Sequence, residues 1–418
     1  MADQAASSLS NVVVAVLVAR SVGVSAFGAF GLAMVVYQVL LGIVRSLVGE
    51  PFLARHSADP PAARRDLVAD LVGAAIMLSV VSSLAIGGTG GIAGGIAGAA
   101  LVALAYVLPL VLVQDQLRFV FVVDRPGRAL AIDALWLIAV IVAMLLAPSG
   151  AGVAWFIVVW GLAGGLSTAV GLVLTRAPIH RLHPWRWLTR TRRDGTRYLG
   201  DFLTAQASAQ AAVVALGAIS GLATLGAVRA SQVFYGPLNT IHAGVYLAVV
   251  PDGARLRGDR RRLDRLIVLT AGALALLAFC WMVVGVGLPD AVGTKFFGKT
   301  WPGAEELMVP MGIAMIAGGI MSGGFLGIRS MGDPQASLRS RLLSAPGQLL
   351  LPLLGAVLGD AVGFALGAAA GRILAAGIWW WAFRGLLHSA PRDHEAIDDD
   401  EEPAVVAVAL AAGGVDGD

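Results

Sequence analysis

Charge is scarce in this 418-residue chain. Asp, Glu, Lys and Arg together make up 14% of it, where an ordinary soluble domain carries roughly 25%. Cysteine is scarcer still: Cys280 stands alone inside an apolar run, which excludes a disulfide framework and a cysteine-built metal site. No GxxxxGK[ST] run occurs, so the phosphate cradle of that class of nucleotide hydrolase is missing. His180 and His183 are spaced HxxH, but they stand in an arginine-rich stretch without acidic or cysteine partners, a poor zinc site. No Ser/His/Asp set can be gathered on one face of a membrane. The expectation is a protein that is not an enzyme and uses no cofactor and no metal.

What the chain does have is apolar length. It is 57% hydrophobic with a mean hydropathy of +0.80, and apolar runs return throughout. Crossing a bilayer core of ~30 Å takes about 20 such residues, so the chain reads as an all-α integral membrane protein. Spans are expected near 5–22, 28–51, 67–87, 91–113, 130–148, 152–174, 198–219, 226–250, 264–288, 305–328, 342–359 and 361–384. The first lacks a basic leader and a small-residue cleavage site, and so reads as a retained span.

The net charge of +3 and pI near 9.3 do not indicate nucleic acid, because the basic residues are confined to particular loops. Of the 30, 24 lie in alternate loops and the tail, while the opposite loops hold only Lys295 and Lys299. That asymmetry predicts cytoplasmic N- and C-termini.

A faint internal repeat organises the rest. Shifting the sequence by 198 positions brings Asp3 onto Asp201, Gly23 onto Gly221, Gly28 onto Gly226, Ala29 onto Ala227 and Tyr37 onto Tyr235. Pro51 and Arg55 have similarly placed counterparts in Pro251 and Arg255. A repeat of this kind decides architecture. It predicts an N-terminal six-helix lobe over 1–175, a basic cytoplasmic inter-lobe loop over 176–197, a C-terminal six-helix lobe over 198–387 and an acidic, disordered cytoplasmic tail over 388–418. The loop mixes arginine with Trp185 and Trp187, as a segment lying on an anionic leaflet does.

Four basic residues fall inside spans: Arg20, Arg45, Arg229 and Arg372. A charge near a helix centre costs at least about 2.5–3.5 kcal/mol on insertion scales, so each is a functional candidate. Arg372 is nearest the middle of its span. Gln38 lies two turns before Arg45 on the same face, and Glu50 is a local candidate counter-ion for that arginine. Arg229, Gln232, Asn239 and His242, with Gly236 between, follow at spacings of three or four along span eight, predicting a polar face that must look at protein or water. Smaller polar faces run through Gln4, Ser7, Ser8 and Asn11 in span one and Gln206 and Gln210 in span seven. Arg20 sits at the end of span one, at the interface. The acids Asp115, Asp133, Asp201, Glu305, Glu306 and Asp360 are expected at helix ends, leaving the buried arginines to an anion. Guanidinium suits phosphate and pyrophosphate.

Five stretches carry a family resemblance: DQAASSLSNVVVAVLVARSVGVSAFGAFGLA, IVRSLVGEPFLAR, VRASQVFYGPLNTIHAGVYLAVVPDGARL, FFGKTWPGAEELMVPMG and GGFLGIRSMGDPQASL. Together they resemble polysaccharide flippases of the Wzx type, within the multidrug/oligosaccharidyl-lipid/polysaccharide (MOP) flippase superfamily. The resemblance implies a MATE-like fold, two six-helix lobes around a central cavity, working by alternating access. It implies as cargo an undecaprenyl-pyrophosphate-linked oligosaccharide, with membrane lipids and a glycan polymerase or glycosyltransferase as partners. Arg45 looks like the span-two cavity arginine of related lipid II flippases, Arg229 like their span-eight arginine, and Arg20 like an arginine closing their first span. Their further charges at the start of span one have no counterpart; Asp3 and Gln4 stand there, which points away from lipid II toward another glycan lipid. On this reading Arg45 and Arg229, with Arg372, neutralise one head group together. The rival readings are a MATE-type cation-coupled multidrug antiporter, which needs an acidic cavity, and a non-transporting component or polymerase-like enzyme of a synthesis complex.

Overall fold

A computed structural model describes residues 13–56, 61–175, 182–203 and 208–389, and among these every regular element is helical. A bilayer interior offers no water to unpaired backbone groups, so a chain this apolar must satisfy them within helices. Asp3, Gln4, Ser7, Ser8, Asn11, His180, Gln206 and the tail from 390 lie outside the described residues. By length and composition eight described helices can cross a membrane, or nine if one bent pair is a single span. One of the eight, α16 (Pro334–Ser389), is itself two helices meeting at Gly359 and Asp360, whose backbone leaves the helical region. The expected count of twelve depends on residues before 13 and between 203 and 208, outside the described set.

The first half opens with helical residues 13–21 (α1), followed after Gly23 by α2 (Val24–Val44). A π-turn over Arg45–Gly49 joins α2 to α3 (Glu50–His56) without a break. Pro51 accounts for the wide turn: it has no N–H to give and its ring presses on the carbonyl four residues back, so the ladder loosens there. Next come α4 (Pro61–Ala93), α5 (Gly95–Asp124), α6 (Pro126–Leu145) and α7 (Val153–Thr175).

Two expected boundaries are corrected here. The glycine-rich stretch from Gly87 does not end the third span; α4 runs to Ala93 and the turn falls at Gly94 and Gly95, both at positive φ (63° and 58°). The other glycines serve packing. A Cβ on Gly90 would meet Leu101 at 3.0 Å and the Gly98 carbonyl at 2.9 Å, so small residues set how closely α4 and α5 approach. The fourth span also does not end at 113, since α5 continues to Asp124. That places the triplet Gln114-Asp115-Gln116 inside a helix, with all three residues buried.

The described part of the expected inter-lobe loop is helical rather than irregular. From Pro184 to Phe202 the chain forms α8, docked on the first half: Trp187 is 1% exposed and rings with Phe52 and His56. His183 and Arg186 reach Asp70 at 3.4 and 3.8 Å, and Arg55 pairs with Asp194. Trp185 alone of the two tryptophans is exposed. Trp187→Ala is therefore expected to cost about 3–5 kcal/mol, read as a lowered Tm in detergent, with Trp185→Ala near neutral.

The second half holds α9 (Ser208–Ile219), α10 (Gly221–Phe234), α11 (Gly236–Arg255), α12 (Arg260–Val286), the short α13 (Asp290–Phe297) and α14 (Trp301–Glu306), α15 (Met308–Met331) and α16. Its apolar residues divide into two groups. Leu216, Leu225, Tyr235, Trp301, Met308 and Phe364, at the arginine-poor end, belong to one core shared with Phe27, Phe52 and Leu108 of the first half. At the arginine-rich end, Leu263, Ile267, Leu326, Trp379 and Phe383 form a core of their own. The halves are thus fused at one end and separately packed at the other.

Candidate substrate-binding site

The fused end is a contact between glycines. A Cβ on Gly28 would run into the carbonyl oxygen of Leu222, and one on Gly226 would run into that of Val24. Both pairs obey the 198-residue offset, so the two contacts are reciprocal, as in an isologous interface. One turn further along α2, the stem of Arg229 lies on Gly31, where a Cβ would come within 2.6 Å of its Cγ. Without side chains at Gly28, Gly31 and Gly226, α2 and α10 come close enough to seal this end.

Arg229 donates from Nη1 to Gln232 Oε1 at 2.9 Å and has no carboxylate partner among the described residues. The polar face predicted along span eight is interrupted beyond it. Tyr235 closes α10, Pro237 enters the first turn of α11, and the two helices meet at 49°. The break is well satisfied: Trp281 Nε1 donates to the Phe234 carbonyl at 3.0 Å, and the buried Tyr235 hydroxyl donates to the Met308 carbonyl at 2.6 Å. Arg229 and Gln232 therefore stand on α10 while Asn239 and His242 stand on α11, Asn239 exposed and His242 half-buried.

Arg372, on the second limb of α16, donates from Nη1 to the Ala314 carbonyl at 2.8 Å, beside Gly318. It too has no carboxylate partner among the described residues, and it lies within electrostatic range of His242. On the opposite half Gln38 is exposed and accepts from Gln210 Nε2 at 3.3 Å, a direct polar contact between α2 and α9.

Arg45 is not free. Its Nε and Nη2 grip Asp115 at 2.7 and 2.5 Å, side-on and bidentate, and its guanidinium carbon lies 5.7 Å from the centre of the Phe119 ring. Gln116 Nε2 donates to the same carboxylate at 3.1 Å. Gln114 Nε2 donates to Asp133 at 2.9 Å, and Arg118 approaches that acid at 3.9 Å. The expectation that Asp115 sits at a helix end is corrected: Asp115 is the hydrogen-bonded partner of Arg45, and Glu50, the candidate local counter-ion, lies within electrostatic range of it. Asp115 lies nine residues inside α5, 4% exposed. The signal was present in the sequence, since an acid between two glutamines inside an apolar run is costly unless it is paired.

Two of the arginines expected to act on one head group lie far apart. Arg229 lies level with Gly31, fourteen residues before Arg45 on α2, which at 1.5 Å per residue is roughly 20 Å of helix. The two arginines do not flank one head group in this conformation. Arg20 is exposed at the arginine-poor end, its backbone against Gly298, away from the polar groups between the halves.

The described helices form a multi-pass architecture of two helical halves. More particularly, it is similar in fold to solved transporters of the MOP superfamily. The chain superposes on an inward-facing multidrug resistance MATE family transporter of that superfamily with a TM-score of 0.71, at 14% identity, covering 92% of this chain and 96% of that one. On the lipid II flippase MurJ in an inward closed conformation the TM-score is 0.69, at 11% identity over 98% and 92% of the two chains. A mutant of the Vibrio cholerae MATE transporter VcmN gives 0.57, at 15% identity over 93% and 94%. At these identities the likeness is one of fold. No family model matches the sequence, and no curated protein matches it.

Proposed function

We propose that this protein is a flippase that carries a lipid-linked, pyrophosphate-bearing oligosaccharide from the inner to the outer leaflet of a bacterial plasma membrane, for exopolysaccharide or envelope glycan synthesis. The observation that carries this reading is the sign of the buried charge. Arg229 and Arg372 lie within the spans with no carboxylate partner among the described residues. The acids Asp115 and Asp133 are each approached by an arginine. Such guanidinium groups favour an anion of phosphate type, whereas a cationic drug needs unpaired acid.

The separation of the arginines suggests a route in steps. The head group enters at the arginine-rich end, where the halves pack separately, and meets Arg45 first. Arg229 and Arg372 take it deeper while the prenyl tail stays in lipid. Parting of the glycine contact between α2 and α10 then opens the other end, as in rocking-type alternating access. Polymerases or glycosyltransferases that make and use the glycan are the partners this role calls for.

The test is the leaflet distribution of lipid-linked glycans in cells lacking the protein. Complete lipid-linked oligosaccharide is expected to accumulate on the inner leaflet, cured by wild type and not by Arg229→Ala expressed at the same level. Normal export with altered drug sensitivity would overturn this reading in favour of a multidrug antiporter.

A further inference from the structure

Resting on that reading, we propose that Arg45 and Asp115 form an anion site whose charge is set by one proton on Asp115, so that the anionic head group and a proton bind together. Asp115 holds the guanidinium by one edge only, through Nε and Nη2. The other edge, Nη1, has no hydrogen bond to any described residue, and the Arg45 side chain is 34% exposed while that of Asp115 is 6% exposed. Arg45 stands two turns from Gln38, which itself reaches across to the second half. The free edge can receive a phosphate oxygen without displacing Asp115.

The charge balance then matters. With Asp115 ionised the pair is neutral and attracts an anion weakly. With Asp115 protonated the same guanidinium, still oriented by the same oxygens, carries a full positive charge. Gln116 is fitted to both states. As placed, its Nε2 donates to the carboxylate while its buried Oε1 has no partner. Turning the amide over presents Oε1 to accept the O–H of a neutral Asp115. The step is simple in its balance: one proton from water joins one carboxylate oxygen as the diphosphate takes the open edge of Arg45, and both leave together.

The other ionisable groups around the site do not duplicate this role. Tyr37 of α2 and Glu50 of α3 lie within electrostatic range of Arg45, and Arg118 of α5 and Asp133 of α6 within range of Tyr37. Asp133 already receives Gln114 and faces Arg118. On α4, Asp70 is turned to His183 and Arg186 of α8, and α7 has no ionisable residue.

The experiment is calorimetric titration of the purified, detergent-solubilised protein with a geranyl methyl diphosphate diester, which carries no titrating proton near neutral pH. Run in buffers of different ionisation enthalpy, the heats count protons taken up. Wild type is expected to take up close to one proton per anion, and to bind about tenfold tighter for each unit fall in pH while Asp115 is ionised in the free protein. Asp115→Asn should bind at high pH as tightly as wild type does at low pH, with no uptake and a flat profile. Uptake unchanged in Asp115→Asn, or weaker binding at every pH, would overturn the proposal, the latter leaving Asp115 a merely structural role. Arg45→Ala separates the two readings. If it abolishes binding while Asp115→Asn and wild type share one pH profile, the anion site stands and the proton link fails. If Arg45→Ala binds normally, the proposed anion site fails; if Arg229→Ala also binds normally, the reading on which it rests fails with it.

Discussion

Arg45→Met is expected to destabilise the protein by about 3 kcal/mol, and by more than Asp115→Asn does. A buried ion pair contributes little over an apolar pair of the same shape, but breaking it strands a charge, at about 3–5 kcal/mol. The two partners are stranded unequally. Removing Arg45 leaves Asp115, with its side chain 6% exposed, without its guanidinium; removing the charge of Asp115 leaves an arginine that is 34% exposed and can turn to water. Protonation of the orphaned acid caps the first cost, which is why the lower figure is expected. The double variant Arg45→Met, Asp115→Leu should recover most of the loss, read as Tm in detergent, and the cycle isolates the pair's coupling. Equal losses for both single variants would mean that the pair is as solvated on one side as on the other.

The second large effect belongs to the glycine contact. Gly28→Val should shift the balance between closed and open arginine-poor ends toward open by roughly 5–150-fold, the equivalent of 1–3 kcal/mol of overpacking. Distances between spin labels on the two halves would report it as a lengthened population at that end. The reciprocal geometry requires Gly226→Val to do the same, because each side chain meets a carbonyl of the partner helix. Gly23 has open space around it and an ordinary φ of −75°, so Gly23→Ala is the neutral control. Its counterpart Gly221 is not, since φ there is +85° and a side chain is strained whatever the room. An unmoved distance distribution in both valine variants would mean that α2 and α10 do not form the seal.

Much of this was legible in one dimension. Apolar run length gave the helical membrane fold, because a bilayer interior permits little else. The sign and position of Arg45, Arg229 and Arg372 were readable for the same reason: a charge in an apolar run is too costly to be incidental. The 198-residue offset also pointed to the glycines that meet across the two halves, although it could not say that they meet. Polarity within an apolar run does not always mark an edge. The triplet Gln114-Asp115-Gln116 looked like the end of a span, and the glycines from Gly87 looked like a turn. Paired acids and close-packed glycines both belong inside helices once a neighbour is present to satisfy them.

The sequence by itself determined the medium, the helical class and which side chains are expensive where they stand. Those depend on composition and local spacing, which the solvent reads residue by residue. Only the tertiary structure decided how that expense is met. Asp115 reaches Arg45 from 70 positions away, α8 folds back to bury Trp187, and the break at Tyr235 turns one polar stripe into two. Such pairings depend on which helix faces which, and no local pattern records it.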